Sequence, residues 1–141
     1  MLKKIMGIDY GKARIGIAVS DALGMVANPV GTVSEKFFPA QVTAVAQQVK
    51  ALSPTKIVLG LPKNMDGSEG DSAALVREFA EKLFLETNVP YEFLDERLTT
   101  VSAHKFLSEM NVSGSKKRKG VVDTLSAVII LQNYLDKKEV L

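Results

Sequence analysis

IMGIDYGKARIGIAVSD, residues 5–21, is the stretch whose reading decides the fold. Ile5, Met6, Gly7 and Ile8 make a short apolar strand closed by Asp9, and Arg14 to Ser20 make a second apolar run. Tyr10-Gly11-Lys12-Ala13 between them reads as a turn, with a glycine suited to positive φ. The pair is therefore expected to form a β-hairpin. An acid at the end of an apolar strand needs an explanation, because burying an unpaired charge is costly. Either Asp9 caps the turn by accepting backbone N–H groups, or it binds something.

Composition narrows the class of molecule. The 141 residues fit one domain, residues 1–141, of ordinary globular composition, 46% hydrophobic and 24% charged. No apolar run approaches the roughly 20 residues of a bilayer-spanning helix. MLKK leads directly into strand pattern without a signal-peptide signature, so a cytoplasmic protein without membrane contact is expected. The absence of cysteine excludes disulfides and thiolate metal sites and fits a reducing compartment. A net charge of +2 is too small to attract nucleic acid diffusely, so any such contact must be local. One local candidate is VSGSKKRKG at 112–120, where Lys116, Lys117, Arg118 and Lys119 are consecutive. The run reads as a loop, either solvated or phosphate-contacting.

Beyond the hairpin, Met25 to Val33 is a third strand candidate, with Pro29 pointing to an edge or irregular position. A helix is expected over Ala40 to Leu52, with Pro39 at its start and Val42, Val45, Ala46 and Val49 on one face. Lys56 to Leu61 is a continuous apolar run suited to a central strand. Asp71 to Glu86 follows as a helix with Leu75, Phe79 and Leu83 on one face and Asp71 or Ser72 as N-cap. Val89 to Leu94 is a fifth strand, a helix is expected from Thr99 or Thr100 to about Asn111, and Val121 to Leu135 is the last helix. The order β-β-β-α-β-α-β-α-α implies an α/β fold. Its mixed sheet has an antiparallel opening, a parallel remainder, and helices on both faces.

Parallel strands joined by helices bring their C-terminal ends to one edge, where ligands bind. Asp9 ends the first strand, Pro62-Lys63-Asn64 follow the fourth, and Asp95-Glu96 follow the fifth. Asp123 shares a helical stripe with Ala127, Ile130 and Tyr134, a mostly apolar setting for a carboxylate. Singly, each acid has a structural reading: Asp123 suits the first turn of its helix, and Asp95 or Glu96 suits a pair with Arg97. Jointly, acids converging on one edge repel each other unless a hard divalent cation, Mg²⁺ or Mn²⁺, is bound there. His104 is the sole histidine and excludes a histidine-rich metal site.

Four motifs in order carry a resemblance: GIDYGKARIGIAVSD at 7–21, GLPKNMDGSEG at 60–70, DERLTT at 95–100 and KGVVDTLSAVIILQNYLD at 119–136. With them the chain resembles the YqgF/RuvX family of RNase H-like nucleases over essentially its whole length. The resemblance implies an RNase H-like five-stranded sheet in the order 3-2-1-4-5 with strand 2 antiparallel. It also implies a metal-dependent nuclease that processes the 5′ end of pre-16S rRNA in ribosome biogenesis, or a Holliday junction resolvase acting on DNA. By the same resemblance Asp9, Glu96 and Asp123 are the catalytic acids, with Asp95 an alternative ligand in the metal set. No second carboxylate follows Asp123 closely, so weaker or single-ion occupancy is expected. Lys12, Arg14, Lys63 and Lys116 to Lys119 are expected to contact nucleic acid, and Gly7 and Gly11 to admit its backbone. Ribosome precursors are the expected assembly partners, and the chain is expected to be a monomer or a homodimer. Two other readings share some of these features: an actin-like ATPase fragment and a non-catalytic nucleic-acid-binding domain. The first needs a second lobe for which the chain has no room, and the intact acids speak against the second.

Overall fold

A computed structural model of the chain describes residues 3–95 and 115–139. Five strands, β1 (Ile5–Asp9), β2 (Arg14–Ser20), β3 (Ala27–Ser34), β4 (Lys56–Leu61) and β5 (Tyr91–Asp95), form one sheet in the order β3-β2-β1-β4-β5. β2 runs antiparallel to both β1 and β3, whereas β4 is parallel to β1 and to β5. The mixed α/β sheet expected from the sequence is the one observed. β3 lies at an edge, as Pro29 suggests, and its ladder with β2 shifts register between Ile17 and Ala18.

Helices α1 (Phe38–Leu52) and α2 (Asp71–Thr87) cover one face, and α3 (Ser115–Glu139) covers the other. Strand alternation divides the core accordingly. Met6, Ile8, Ile15, Ile17, Ile57 and Leu59 pack against Val45 and Val49 of α1 and Phe79 and Leu83 of α2. Ile5, Ala18 and Val58 point the other way, onto Ala127, Ile130, Leu131 and Leu135 of α3. The stripe of Asp123, Ala127, Ile130 and Tyr134 is thus the one that meets the sheet, while Leu125, Ile129 and Gln132 are only partly buried.

Helix ends depart from expectation in two places. α2 is capped by Gly70 in extended conformation without a side-chain bond, so neither Asp71 nor Ser72 is the cap. α3 begins at Ser115, which puts the backbone of Lys116 to Lys119 in helix, not in a loop. Lysine and arginine are good helix formers, and one interior glycine, Gly120, costs only about 1 kcal/mol. The helix expected between Thr99 and Asn111, with His104, lies outside the described residues.

Candidate acid site at the sheet edge

The sheet delivers Asp9 and Asp123 to one place by steric means. Gly7 and Asp9 alternate with Ile8 and so face α3, and Asp9 is the ladder partner of Gly16 on β2. A Cβ on Gly16 would stand 1.9 Å from the backbone oxygen of Asp123. One on Gly7 would stand 2.7 Å from Cβ of Leu131 and 2.9 Å from the Ala127 oxygen. Two glycines on neighbouring strands therefore make the depression in which α3 lies, and Asp123 is held over the strand pair that carries Asp9. Gly7 is consequently filled by protein and is not open to a phosphate backbone, contrary to expectation. Gly11 differs again, since it is not among the glycines of positive φ. A Cβ there would meet the Arg14 oxygen at 2.5 Å, so turn closure explains it.

Arg14 lies two residues before Gly16 on the same strand face, and its Nε donates to Oδ2 of Asp123 at 2.9 Å. The Asp123 side chain is 21% exposed. Burial pushes its carboxyl above the usual range, and the Arg14 hydrogen bond and charge oppose that shift. Beside this pair, the Thr32 and Thr124 hydroxyls lie 2.7 Å apart and tie β3 to the same turn of α3.

The other expected residues are distributed around this centre. Asp95 follows Phe93 by two, and Tyr91 and Phe93 pack on the α1–α2 side while Leu94 packs on the α3 side. Alternation sets Asp95 on the face of β5 opposite the one Asp9 takes on β1. Glu96 lies outside the described residues, and among those described no three acidic or histidine side chains form a metal-binding group. Lys12 is exposed in the hairpin turn and lines a cavity of about 180 Å³ with Tyr10, Gly11, Pro62 and Ser72. Lys63 follows β4 at the same end of the sheet, in a loop closed by the Asn64 N–H to the Ser68 carbonyl at 2.8 Å. Lys116 to Lys119 occupy the first turns of α3, upstream of Asp123.

Two structural determinants went unread in the sequence. Gly16 is one, although a glycine inside an apolar strand marks a close backbone approach. Gln41 is the other. It is 1% exposed, its Nε2 donates to the carbonyls of Gly11, Lys12 and Glu35 at 3.2, 2.9 and 2.8 Å, and its Oε1 accepts from the Tyr10 hydroxyl at 2.7 Å. One amide thus fixes the turn after Asp9 to the end of β3. The signal was a glutamine at the helical spacing of Val45 and Val49.

Ser126, one turn past Asp123, is 1% exposed, and its hydroxyl has no hydrogen-bond partner among the described residues. Ser126→Ala should stabilise the protein by about 1 kcal/mol, through the relieved hydroxyl and the better helix former. Urea denaturation measures this, and a loss of stability would mean that the hydroxyl has a partner.

Comparison with known proteins agrees with this architecture. A family model described as RuvX, Holliday junction resolvase, matches residues 3–137. A protein of Clostridioides difficile named "Putative pre-16S rRNA nuclease" is 45% identical over 135 residues, covering 96% of this chain and 95% of that one. One of the same name from Caldanaerobacter subterraneus is 43% identical over 136 residues, covering 96% and 98%. Among solved structures, Thermus thermophilus RuvC in complex with a Holliday junction substrate superposes with a TM-score of 0.59 at 13% identity, covering 97% of this chain and 96% of that one. The fowlpox virus Holliday junction resolvase gives 0.59 at 11% identity, covering 96% and 99%. At such identities these two structures speak to the fold alone, and no described helix is long and apolar enough to cross a membrane.

Proposed function

Since the chain belongs to the RuvX family, we propose that it is a divalent-metal-dependent nuclease that processes the 5′ end of pre-16S rRNA, with Asp9, Glu96 and Asp123 as its acids. The observation that carries this reading is the seat of Asp123 on Gly16, the ladder partner of Asp9. Two carboxylates directed to one sheet face at the strand ends are a donor set of hard oxygens, suited to Mg²⁺ or Mn²⁺. Asp123 already takes a cationic partner, Arg14, so the position accepts positive charge. Asp9 and Asp123 would hold the ion together with Glu96, whose role rests on the family resemblance. When bound, a divalent ion supplies Lewis-acid charge at the scissile phosphate.

The remaining work falls to the chain's own residues. Gln41 fixes the turn that follows Asp9, and Gly7 and Gly16 fix the depth of α3, so both acids stand on backbone that cannot drift. Lys12 and Lys63 at the strand ends, and Lys116 to Lys119 on α3, would contact phosphates on either side of the cut. The names of the curated relatives favour ribosomal RNA precursors. The family description favours a DNA junction as the second reading, which would need two coordinated cuts and hence a dimer.

Precursor rRNA, single-stranded RNA and four-way DNA junctions, offered side by side with Mg²⁺ and with Mn²⁺, test the proposal. Ion-dependent cutting of the precursor is expected. Cutting of junctions with the RNA left intact would favour the second reading, and no cutting of any substrate with either ion would overturn both.

The basic turns of α3 yield a separate prediction. Replacing Lys116, Lys117, Arg118 and Lys119 together by alanine should weaken nucleic-acid binding regardless of sequence. It should also flatten the dependence of log affinity on log salt by about two to three units, at roughly 0.7 per phosphate on single strands. Cleavage at saturating substrate should fall less than binding. An unchanged salt slope would leave these residues as a solvated helix face.

A further inference from the structure

The Arg14–Asp123 pair joins residues 109 apart in sequence and sits at the sheet edge, with the Arg14 side chain 38% exposed. Only Nε is engaged, and the two terminal NH₂ groups of the guanidinium make no hydrogen bond among the described residues. The geometry points to Arg14 as a built-in counter-ion that occupies Asp123 while the acid site is empty of metal and yields that carboxylate to an arriving divalent ion. The guanidinium then serves a substrate phosphate. This rests on the reading of Asp123 as a metal-holding acid.

Asp9 and Asp123 are like charges carried to the same strand pair, and the Arg14 guanidinium offsets the charge of Asp123 there. Arg14 is fixed for that task by its strand position, since it shares a face with Gly16, on which Asp123 rests. A guanidinium and a dication on the same small carboxylate repel each other, so metal occupancy and the ion pair oppose one another. The unused NH₂ groups form half of a planar fork that matches phosphate oxygens, and a short swing of an exposed side chain brings them to bear. Metal uptake and phosphate grip are therefore coupled through one residue: loading the ion frees the group that holds the substrate.

The test compares wild type with Arg14→Ala, Arg14→Gln and Arg14→Lys. The Mn²⁺ concentration at half-maximal thermal stabilisation is read first. It should fall about three- to tenfold in Arg14→Ala and Arg14→Gln, where the competitor is gone, and stay near wild type in Arg14→Lys. Binding of a short labelled single-stranded RNA in saturating Ca²⁺ is read second. All three variants should bind more weakly, and the two uncharged ones should lose roughly 0.7 from the salt slope. Having two uncharged variants guards against one that does not fold. A Mn²⁺ midpoint unchanged or raised in whichever uncharged variant melts cooperatively would overturn the counter-ion role. An unchanged RNA salt slope would overturn the phosphate role. A wild-type protein that shows no Mn²⁺ stabilisation would sink the acid-site reading itself, an outcome distinct from either.

Discussion

Asp9→Asn is expected to lower metal-dependent cleavage by about three orders of magnitude or more while the protein stays folded. Asp9 closes β1 on the α3 face, opposite Gly16 and beside the seat of Asp123. Asparagine keeps the shape and one carbonyl oxygen but removes the charge that attracts a hard cation. A bound ion contributes several kcal/mol of charge stabilisation at a phosphoryl centre, and each 1.4 kcal/mol or so is tenfold in rate. The metal-free fold should melt at the wild-type temperature or slightly above, because one of two neighbouring negative charges is gone. Melting curves with and without Mn²⁺ separate the effects: the wild type should be stabilised by the ion and the variant much less. An inactive variant that is also unfolded would show that Asp9 serves the fold, and a variant that retains cleavage would remove Asp9 from the site.

Gly16→Ala should destabilise the protein severely. The new Cβ would fall 1.9 Å from the Asp123 oxygen, 2.4 Å from its carbonyl carbon and 3.0 Å from the Thr124 nitrogen. All three are backbone atoms, so no side chain can swing aside, and α3 must lift from the sheet. Overpacking in a core ordinarily costs about 1–3 kcal/mol, and a contact made against backbone belongs at or beyond the upper end. Lifting α3 also loosens Ala127, Ile130 and Leu131 from Ile5, Ala18 and Val58. The measurement is denaturant unfolding, together with cleavage under conditions where the variant is still folded. Cleavage should remain depressed even there, because Asp123 moves with its helix. Wild-type stability in Gly16→Ala would show that the helix seats with more slack than these distances allow.

The sheet was legible because its signals are local. Apolar runs bounded by turn residues gave β2 and β4 their limits, and prolines marked both the edge strand and the start of α1. The side of the sheet to which each acid belongs was less legible, since it follows from alternation and neighbours together. Asp95 and Glu96 look equivalent as adjacent letters, and only the packing of Tyr91, Phe93 and Leu94 assigns Asp95 its face. The start of α3 was misplaced because a run of like charges with nearby glycines resembles a loop, although each lysine and arginine favours helix. The Arg14–Asp123 pair could not be read at all. Nothing in a one-dimensional string announces a contact across 109 residues.

The way α3 rests on Gly7 and Gly16 sets where tolerance to change lies in this molecule. The sheet itself is the ruler against which Asp123 is measured, through bare backbone at two glycines. Asp123 is placed by the contact of α3 with the sheet, and that contact is set at Gly7 and Gly16. One carbon atom added at either glycine reaches the centre directly. Two positions without side chains carry the dimension that must not change.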